Sequence, residues 1–332
     1  MIRSLAFTSQ GRLHSKDIEP WLMTCVLSDT NLFLWVDLEA PTPEETRLVL
    51  ENVFHFHPLS IEDVVATNSS PKVEEYIPRE DDMFSPHLFI VVHAVDYSRK
   101  DGTFATSELN LFLGKNFLVT YHQGALRSIN QTEESARNSS MRVARAPDRL
   151  VHNLLDLIVE NYWPALDELA HEIALLEQRA LQHPNQATLN EILKIKNEVI
   201  HLRQIIGPQR EVLGRFARGE FKLIRAHLVP YYRDVYDGLS QIAERAQNYA
   251  DALTGTLQIY LNVSSNQTGE VVKLLTLITV ITTPLMMIGT WYGMNFHHMP
   301  ELSWRHGYLV AASITVVSTL ATFWYFKKKK WF

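Results

Sequence analysis

One stripe of residues near the end of the chain has the types and the spacing to line water. Asp251, Gly255, Gln258, Asn262, Ser265, Gly269, Val272, Thr276, Thr279, Thr283, Met286 and Thr290 recur at intervals of four and three, the spacing that turns one edge of a helix toward a common axis. At a dry helix–helix seam such positions are apolar, whereas most of these are small or polar. A wet axis resolves the conflict: hydroxyl and amide groups line water while Leu274, Leu277, Ile278, Ile281 and Leu285 face lipid or neighbouring helices. One or two helices cannot enclose a water-filled path, so the pattern implies several copies. The competing reading is that each threonine turns its hydroxyl back onto its own helix carbonyls. Where the stripe ends stands Tyr292-Gly293-Met294-Asn295-Phe296. Gly293 can end a helix or let the backbone turn, and Gly-X-Asn is also an ordinary helix cap. A ring of Asn295 amides offers a second chemistry. Magnesium keeps its water, and neutral amide oxygens accept hydrogen bonds from that water without stripping the ion or holding it too firmly to leave.

The elements that must position these groups are two apolar segments. Val271 to Tyr292 carries a single charge, Lys273, and Tyr308 to Phe326 carries none. Each is close to the roughly 20 residues a helix needs to cross hydrocarbon. Lys327 to Lys330 follow directly, with Trp331 and Phe332 as aromatic anchors, so the C-terminus is expected in the cytosol. Two spans return the N-terminal part to the same side of the cytoplasmic (inner) membrane, and the first residues lack the apolar run of an export signal. A helix starting near Pro230 meets no proline until Pro284. Continuous from Tyr231 to Tyr292 it would be about 93 Å long, so about 60 Å of it would project into the cytosol.

The rest of the chain reads as α/β followed by helices. Leu32 to Leu38 and His87 to Val95 read as strands, and Ser107 to Leu113 with Asn116 to His122 as a hairpin turning at Gly114-Lys115. Glu44 to Phe54 has helical spacing, and Pro58 suits the first position of a helix carrying Glu62 and Asp63. From Pro147 strand signals vanish, and Asp148 to Leu181 and Thr188 to Phe216 read as two long helices. The first is acidic on one side, with Glu160, Asp167, Glu168, Glu172 and Glu177, a pattern that suits a solvated face. The expected fold class is an α+β membrane protein. Its parts are a cytosolic α/β domain (1–146), paired long cytosolic helices (147–228), a stalk helix continuing into the first span (229–292), an external loop (293–307), the second span (308–326) and a basic cytosolic tail (327–332).

Composition excludes several functions. The 332 residues carry a net charge of -6, and the balance of signs gives nucleic-acid binding no support. Cys25 is the only cysteine, which rules out an intrachain disulfide and a cysteine-rich zinc site. There is no phosphate-cradling glycine loop, nucleophile elbow or metalloprotease His-Glu pair. No enzyme and no catalytic cofactor are expected.

The stretch from Asn266 to the end resembles the CorA family of magnesium and cobalt channels. Tyr-Gly-Met-Asn at 292 to 295, Met299-Pro300-Glu301-Leu302 and the closing Lys-Lys-Lys-Lys-Trp-Phe carry the likeness, and Gly-Met-Asn between two terminal spans is that family's signature. It continues upstream in His57-Pro58-Leu59 with Glu62-Asp63, in Pro71-Lys72-Val73-Glu74 and in Tyr232-Arg233-Asp234-Val235-Tyr236-Asp237. Nearly the whole chain is covered, most weakly before Leu32.

The resemblance implies a homopentamer in the bilayer, a funnel-shaped cytosolic part, a selectivity filter at Gly293, Met294 and Asn295, and divalent cations as cargo. It also implies closure by intracellular magnesium bridging Asp63, with Glu62, to Asp234 of the adjacent subunit. Unbridged carboxylates across an interface repel, and a divalent ion reverses that sign; alternatively Asp63 simply sits in a solvated helical turn favoured by the helix dipole. The chain departs from the family pattern at Gln258, where an acidic ring is common, at Gly269, where asparagine is, and at Val272 and Thr283, where methionines are. Leu275 and Met286 then remain as gate candidates. His297 and His298 replace a common carboxylate, with His306 nearby, and histidine suits zinc, nickel or cobalt better than magnesium. The expected activity is uptake of magnesium, with cobalt or nickel as further candidate passengers. A zinc carrier of the ZntB type is the alternative, against which Met294 stands, since that branch commonly has valine there. A membrane-anchored sensor would leave the polar stripe unexplained.

Overall fold

The computed structural model describes residues 1–66, 69–80, 82–95, 106–138, 143–295 and 303–329. They form two compact units, one of Met1–Gln178 with Ala187–Thr256 and one of Arg179–Gln186 with Leu257–Phe332.

The first unit is built on a seven-stranded sheet. Its strands are β1 (Ile2–Thr8), β2 (Leu13–Lys16), β3 (Leu32–Glu39), β4 (Lys72–Tyr76), β5 (His87–Val95), β6 (Thr106–Leu113) and β7 (Phe117–His122), in the order β2-β1-β3-β7-β6-β5-β4. Only β3 and β7 pair in parallel; the other pairs are antiparallel. The sheet is therefore mixed. β6 and β7 form the expected hairpin, where a Cβ on Gly114 would run into the Phe117 ring. Period two divides the central strands between two cores. Phe33, Trp35, Leu109 and Leu111 face one, and Leu34, Val36, Phe112 and Val119 the other.

Short helices cover the second face: α1 (Pro20–Ser28), α2 (Pro43–Thr46) running into a π-helical turn (Arg47–Val53), and α3 (Pro58–Ala66). Thr42 caps α2 with a complete capping box, its side chain accepting from the Glu45 N–H while Glu45 accepts from the Thr42 N–H. The first face packs on α4 (Arg127–Asn138), α5 (Pro147–Glu160), α6 (Tyr162–Gln182), α7 (Gln186–Ala217) and the start of α8 (Val229–Tyr292). The single helix expected over Asp148 to Leu181 is two, α5 and α6, broken at Asn161. Pro164 has no N–H for the carbonyl four residues back, and its ring crowds that carbonyl. The break lets Tyr162 bury fully and donate to the His93 carbonyl at 3.0 Å.

Two polar anchors lie in this apolar frame. Asp148, 4% exposed, accepts two hydrogen bonds from the Arg225 guanidinium, at 2.8 and 2.7 Å, and the Tyr232 hydroxyl donates to its carbonyl at 2.6 Å. This ties the beginning of α8 to α5. Asp37 is the second: Arg3 donates to it at 2.6 Å, Thr120 donates its hydroxyl, and His122 Nε2 lies 3.1 Å away. Burial works to lower His122, but the hydrogen bond and charge of Asp37 outweigh it and raise the imidazole above 6.5. Burial likewise works to raise Asp37, yet His122, Thr120 and Arg3 hold it below 3.8.

The raised histidine contributes stability in full below 6.5 and loses it as pH climbs through its folded value. The depressed aspartate contributes in full above 3.8 and loses it as pH falls through its own. The melting temperature of the intact protein is therefore expected to decline as pH rises from 6.5 through His122's folded value. Asp37→Asn should lower stability by about 3–5 kcal/mol, because buried His122 loses its counter-charge while Arg3 keeps only Glu39 and Glu133, and should flatten that decline. A variant profile parallel to the parent's would refute the assignment.

The second unit contains the end of α8 and α9 (Gly307–Lys328), both long and apolar enough to cross a membrane. Lys327 and Lys328 lie in the last turn of α9, where cations also suit the helix dipole. Lys330, Trp331 and Phe332 lie outside the described residues.

Candidate ion path and cation sites

α8 buries one edge and leaves another open. Tyr232, Val235, Leu239, Ile242, Ala246, Ala250 and Leu253 are buried at three- and four-residue spacing, closing the core of the first unit. At about 100° per residue the start of the polar stripe, Asp251, Gly255 and Gln258, lies roughly 140° around the helix from the buried Ala246, Ala250 and Leu253. Asp251, Gly255, Gln258, Asn262, Ser265, Gly269, Val272, Thr279, Thr283, Met286 and Thr290 are all exposed, and Thr276 is half-buried. Leu275 is exposed too. The described residues thus leave a continuous polar edge uncovered along α8.

The threonine hydroxyls on that edge do not point their protons outward. Thr276 donates to the Val272 carbonyl at 2.8 Å, Thr279 to Leu275 at 2.8 Å, Thr283 to Thr279 at 2.7 Å and Thr290 to Met286 at 2.6 Å. The competing sequence reading is right about the protons. Yet a hydroxyl has two acceptor lone pairs besides its donor, so with the donor engaged each Oγ1 presents only acceptors outward. Water bound to a cation presents only donors. Back-bonding therefore makes the edge better suited to a hydrated cation and poorly suited to an anion.

The helix closes at Tyr292. The Gly293 N–H donates to the Gly289 carbonyl at 3.1 Å and the Thr290 carbonyl at 3.2 Å. Its backbone is not left-handed; a Cβ there would stand 3.1 Å from the Gly289 oxygen, a crowding glycine avoids. Met294 and Asn295 follow, both exposed. His306 precedes α9 and is exposed, whereas His297, His298 and the Met299-Pro300-Glu301-Leu302 stretch lie outside the described residues.

The acidic candidates fall on the first unit. Asp63 of α3 is half-buried and meets Lys72 Nζ at 2.6 Å, and Lys72 reaches Glu74 at 3.3 Å. Burial would lower that lysine, but the hydrogen bonds and charges of Asp63 and Glu74 raise it. Glu62 is exposed. Asp234 of α8 is exposed, and its charge, after burial, raises Asp156 of α5; Glu160 is raised by its own burial and by Asp156. Burial is the larger cause in both, and the neighbouring carboxylate adds like-charge repulsion to it. Lys72 as partner of Asp63, and Asp156 as neighbour of Asp234, were missed in the sequence because their spacing carries no motif. Among the described residues no three His, Cys, Asp or Glu side chains converge to hold an ion. The structure does not bring Asp63 and Asp234 into one such cluster within a chain.

The description of CorA-like Mg2+ transporter proteins matches residues 31–328. The chain belongs to the CorA family. Among curated relatives, the cobalt/magnesium transport protein CorA of Thermotoga maritima is 33% identical over 304 residues, 91% of this chain and 84% of that one. Among solved structures, the CorA magnesium transporter of Methanocaldococcus jannaschii matches with a TM-score of 0.81 at 20% identity, covering 99% of this chain and 98% of the other. The ZntB cytoplasmic domain of Vibrio parahaemolyticus is more distant, with a TM-score of 0.55 at 14% identity over 70% of this chain and 88% of the other. CorA-family proteins are metal-ion transporters, and the mixed sheet, the long helix and the two candidate spans are common ground with the full-length archaeal structure.

Proposed function

We propose that the chain is one subunit of a homopentameric channel of the cytoplasmic membrane. It takes up hydrated magnesium, with cobalt or nickel as further passengers, down the membrane potential. Both termini lie in the cytosol and 293–307 outside. The observation that carries this reading is the exposed edge of α8, continuous from Asp251 to Thr290 and rich in acceptors. Copies placed around an axis turn those acceptors onto the water shell of the ion, and Asn295 rings, with Gly293 and Met294, form the filter at the outer end. A divalent ion moving inward gains about 4.6 kcal/mol per 100 mV, twice the single-charge figure, so no energy-coupling site is required. Leu275 and Met286 supply apolar constrictions, and Thr283 keeps the path between them wet. Flux into proteoliposomes, measured with magnesium, cobalt and zinc in separate runs, tests this. Magnesium and cobalt should pass; zinc alone would favour the ZntB-type carrier, and no flux at all a sensor.

Closure by cytosolic magnesium completes the reading. Asp63 and Glu62 of one subunit and Asp234 of the next are the bridging acids. The like-charge repulsion between Asp234 and Asp156, which a cation would relieve, supports one arriving there. Lys72 holds Asp63 in the absence of that cation, so binding displaces an ammonium from the carboxylate. Added magnesium should slow proteolysis of the parent's cytosolic part. In Asp63→Asn or Asp234→Asn the midpoint of protection should move to about 5- to 150-fold higher magnesium, the usual span of coupling between sites. Equal midpoints in variant and parent would sink this assignment while leaving the ion path untouched.

A further inference from the structure

Between the loop-side ends of α8 and α9 the second unit holds a trough of about 710 Å³. Leu285 and Ile288 form one wall and Ala312 and Val316 the other; Trp304, Arg305, Tyr292 and Tyr308 stand at the loop-side rim. The helices do not close on each other here, since a Cβ on Gly289 would meet nothing within 4 Å. At about 100° per residue, Leu285, Ile288 and Gly289 point roughly 150° away from the stripe of Thr283, Met286 and Thr290. The trough therefore opens away from the proposed ion path, on the side that the sequence leaves to lipid or neighbouring helices.

Its two ends differ in chemistry. The interior is apolar, whereas the rim combines tryptophan and tyrosine, which settle at headgroup depth, with an exposed guanidinium. Arg305 makes no ion pair among the described residues. A guanidinium grips phosphate oxygens in a fork. An apolar trough beneath a phosphate-binding rim matches one amphiphile of the surrounding bilayer. We infer that each subunit seats an anionic phospholipid of the loop-side leaflet, with an acyl chain between α8 and α9 and the phosphate on Arg305. The inference rests on both helices crossing the membrane, but not on which ion is carried.

Native mass spectrometry of the delipidated full-length protein tests it, with phosphatidylglycerol and phosphatidylcholine of matched acyl chains titrated without any ion gradient. The parent should retain phosphatidylglycerol about five-fold better, the worth of one basic side chain beside an anionic headgroup. Arg305→Gln should bring that ratio close to one, Arg305→Lys should keep most of it, and Ala312→Phe should lower retention of both lipids. Equal retention by the parent, or a preference that survives Arg305→Gln, would overturn the inference. So would disulfides between copies from Ala312→Cys in a Cys25→Ser background, since a second copy would then fill the trough. Because the readout is bound lipid, a failed magnesium flux assay leaves the result interpretable.

Discussion

Asn295→Ala should abolish selective magnesium flux while the oligomer still assembles. Asn295 is exposed just beyond the end of α8 and makes no hydrogen bond among the described residues, so truncating it leaves packing unchanged. What disappears is a neutral amide oxygen facing the ion's water. A hydrogen bond involving a charged partner is worth about 1.5–3 kcal/mol, which is about ten- to 150-fold in occupancy for a single bond. A ring of copies loses several at once. The measurement is magnesium uptake against competing calcium or sodium in proteoliposomes, beside a size profile of the purified variant. Magnesium uptake with undiminished selectivity would remove Asn295 from the filter. A collapsed size profile would instead assign it to assembly.

The parts of the fold with a strong period were legible in advance. β5 spans His87–Val95 and β3 Leu32–Glu39 because central strands are buried on both faces and read as unbroken apolar runs. The edges were harder. β2 and β4 are the outermost strands and carry His14, Lys16, Lys72, Glu74 and Glu75, charges that blunt an exposed edge and at the same time erase the alternation by which a strand is recognised. The break at Asn161 was hidden because the amphipathic pattern runs through it, although Pro164 carried the signal. At the candidate site, the stripe on α8 could be read because helical period alone places its members. Which way the threonine protons turn could not, since both orientations satisfy the same sequence. Lys72 and Asp156 become visible only when β4 approaches α3 and α5 approaches α8, contacts that separate residues make through tertiary packing.

The stripe and the filter depend on one geometric claim, that the open edge of α8 faces water, and cysteine chemistry reads that edge directly. Thr283→Cys is nearly isosteric and lies on the exposed stripe, while Leu274→Cys is also exposed but sits near the opposite side of the helix. Cys25 is exposed and must first be replaced by serine. A permanently cationic methanethiosulfonate reaches thiols in water and not thiols in hydrocarbon. Bound at position 283, its fixed charge about 6 Å from a passing divalent ion would cost about 5.5 kcal/mol at an effective dielectric of about 20, close to four decades in rate before screening. Magnesium flux should therefore fall by at least about tenfold after treatment of Thr283→Cys, even with most of that energy screened, and should not change for Leu274→Cys. Thiols drawn together around one axis should also oxidise to disulfides between copies at 283 and not at 274. Block at 274 with none at 283 would turn the polar edge toward lipid. The acceptor-only threonines would then be the local back-bonds of an ordinary membrane helix, with no ion path along them.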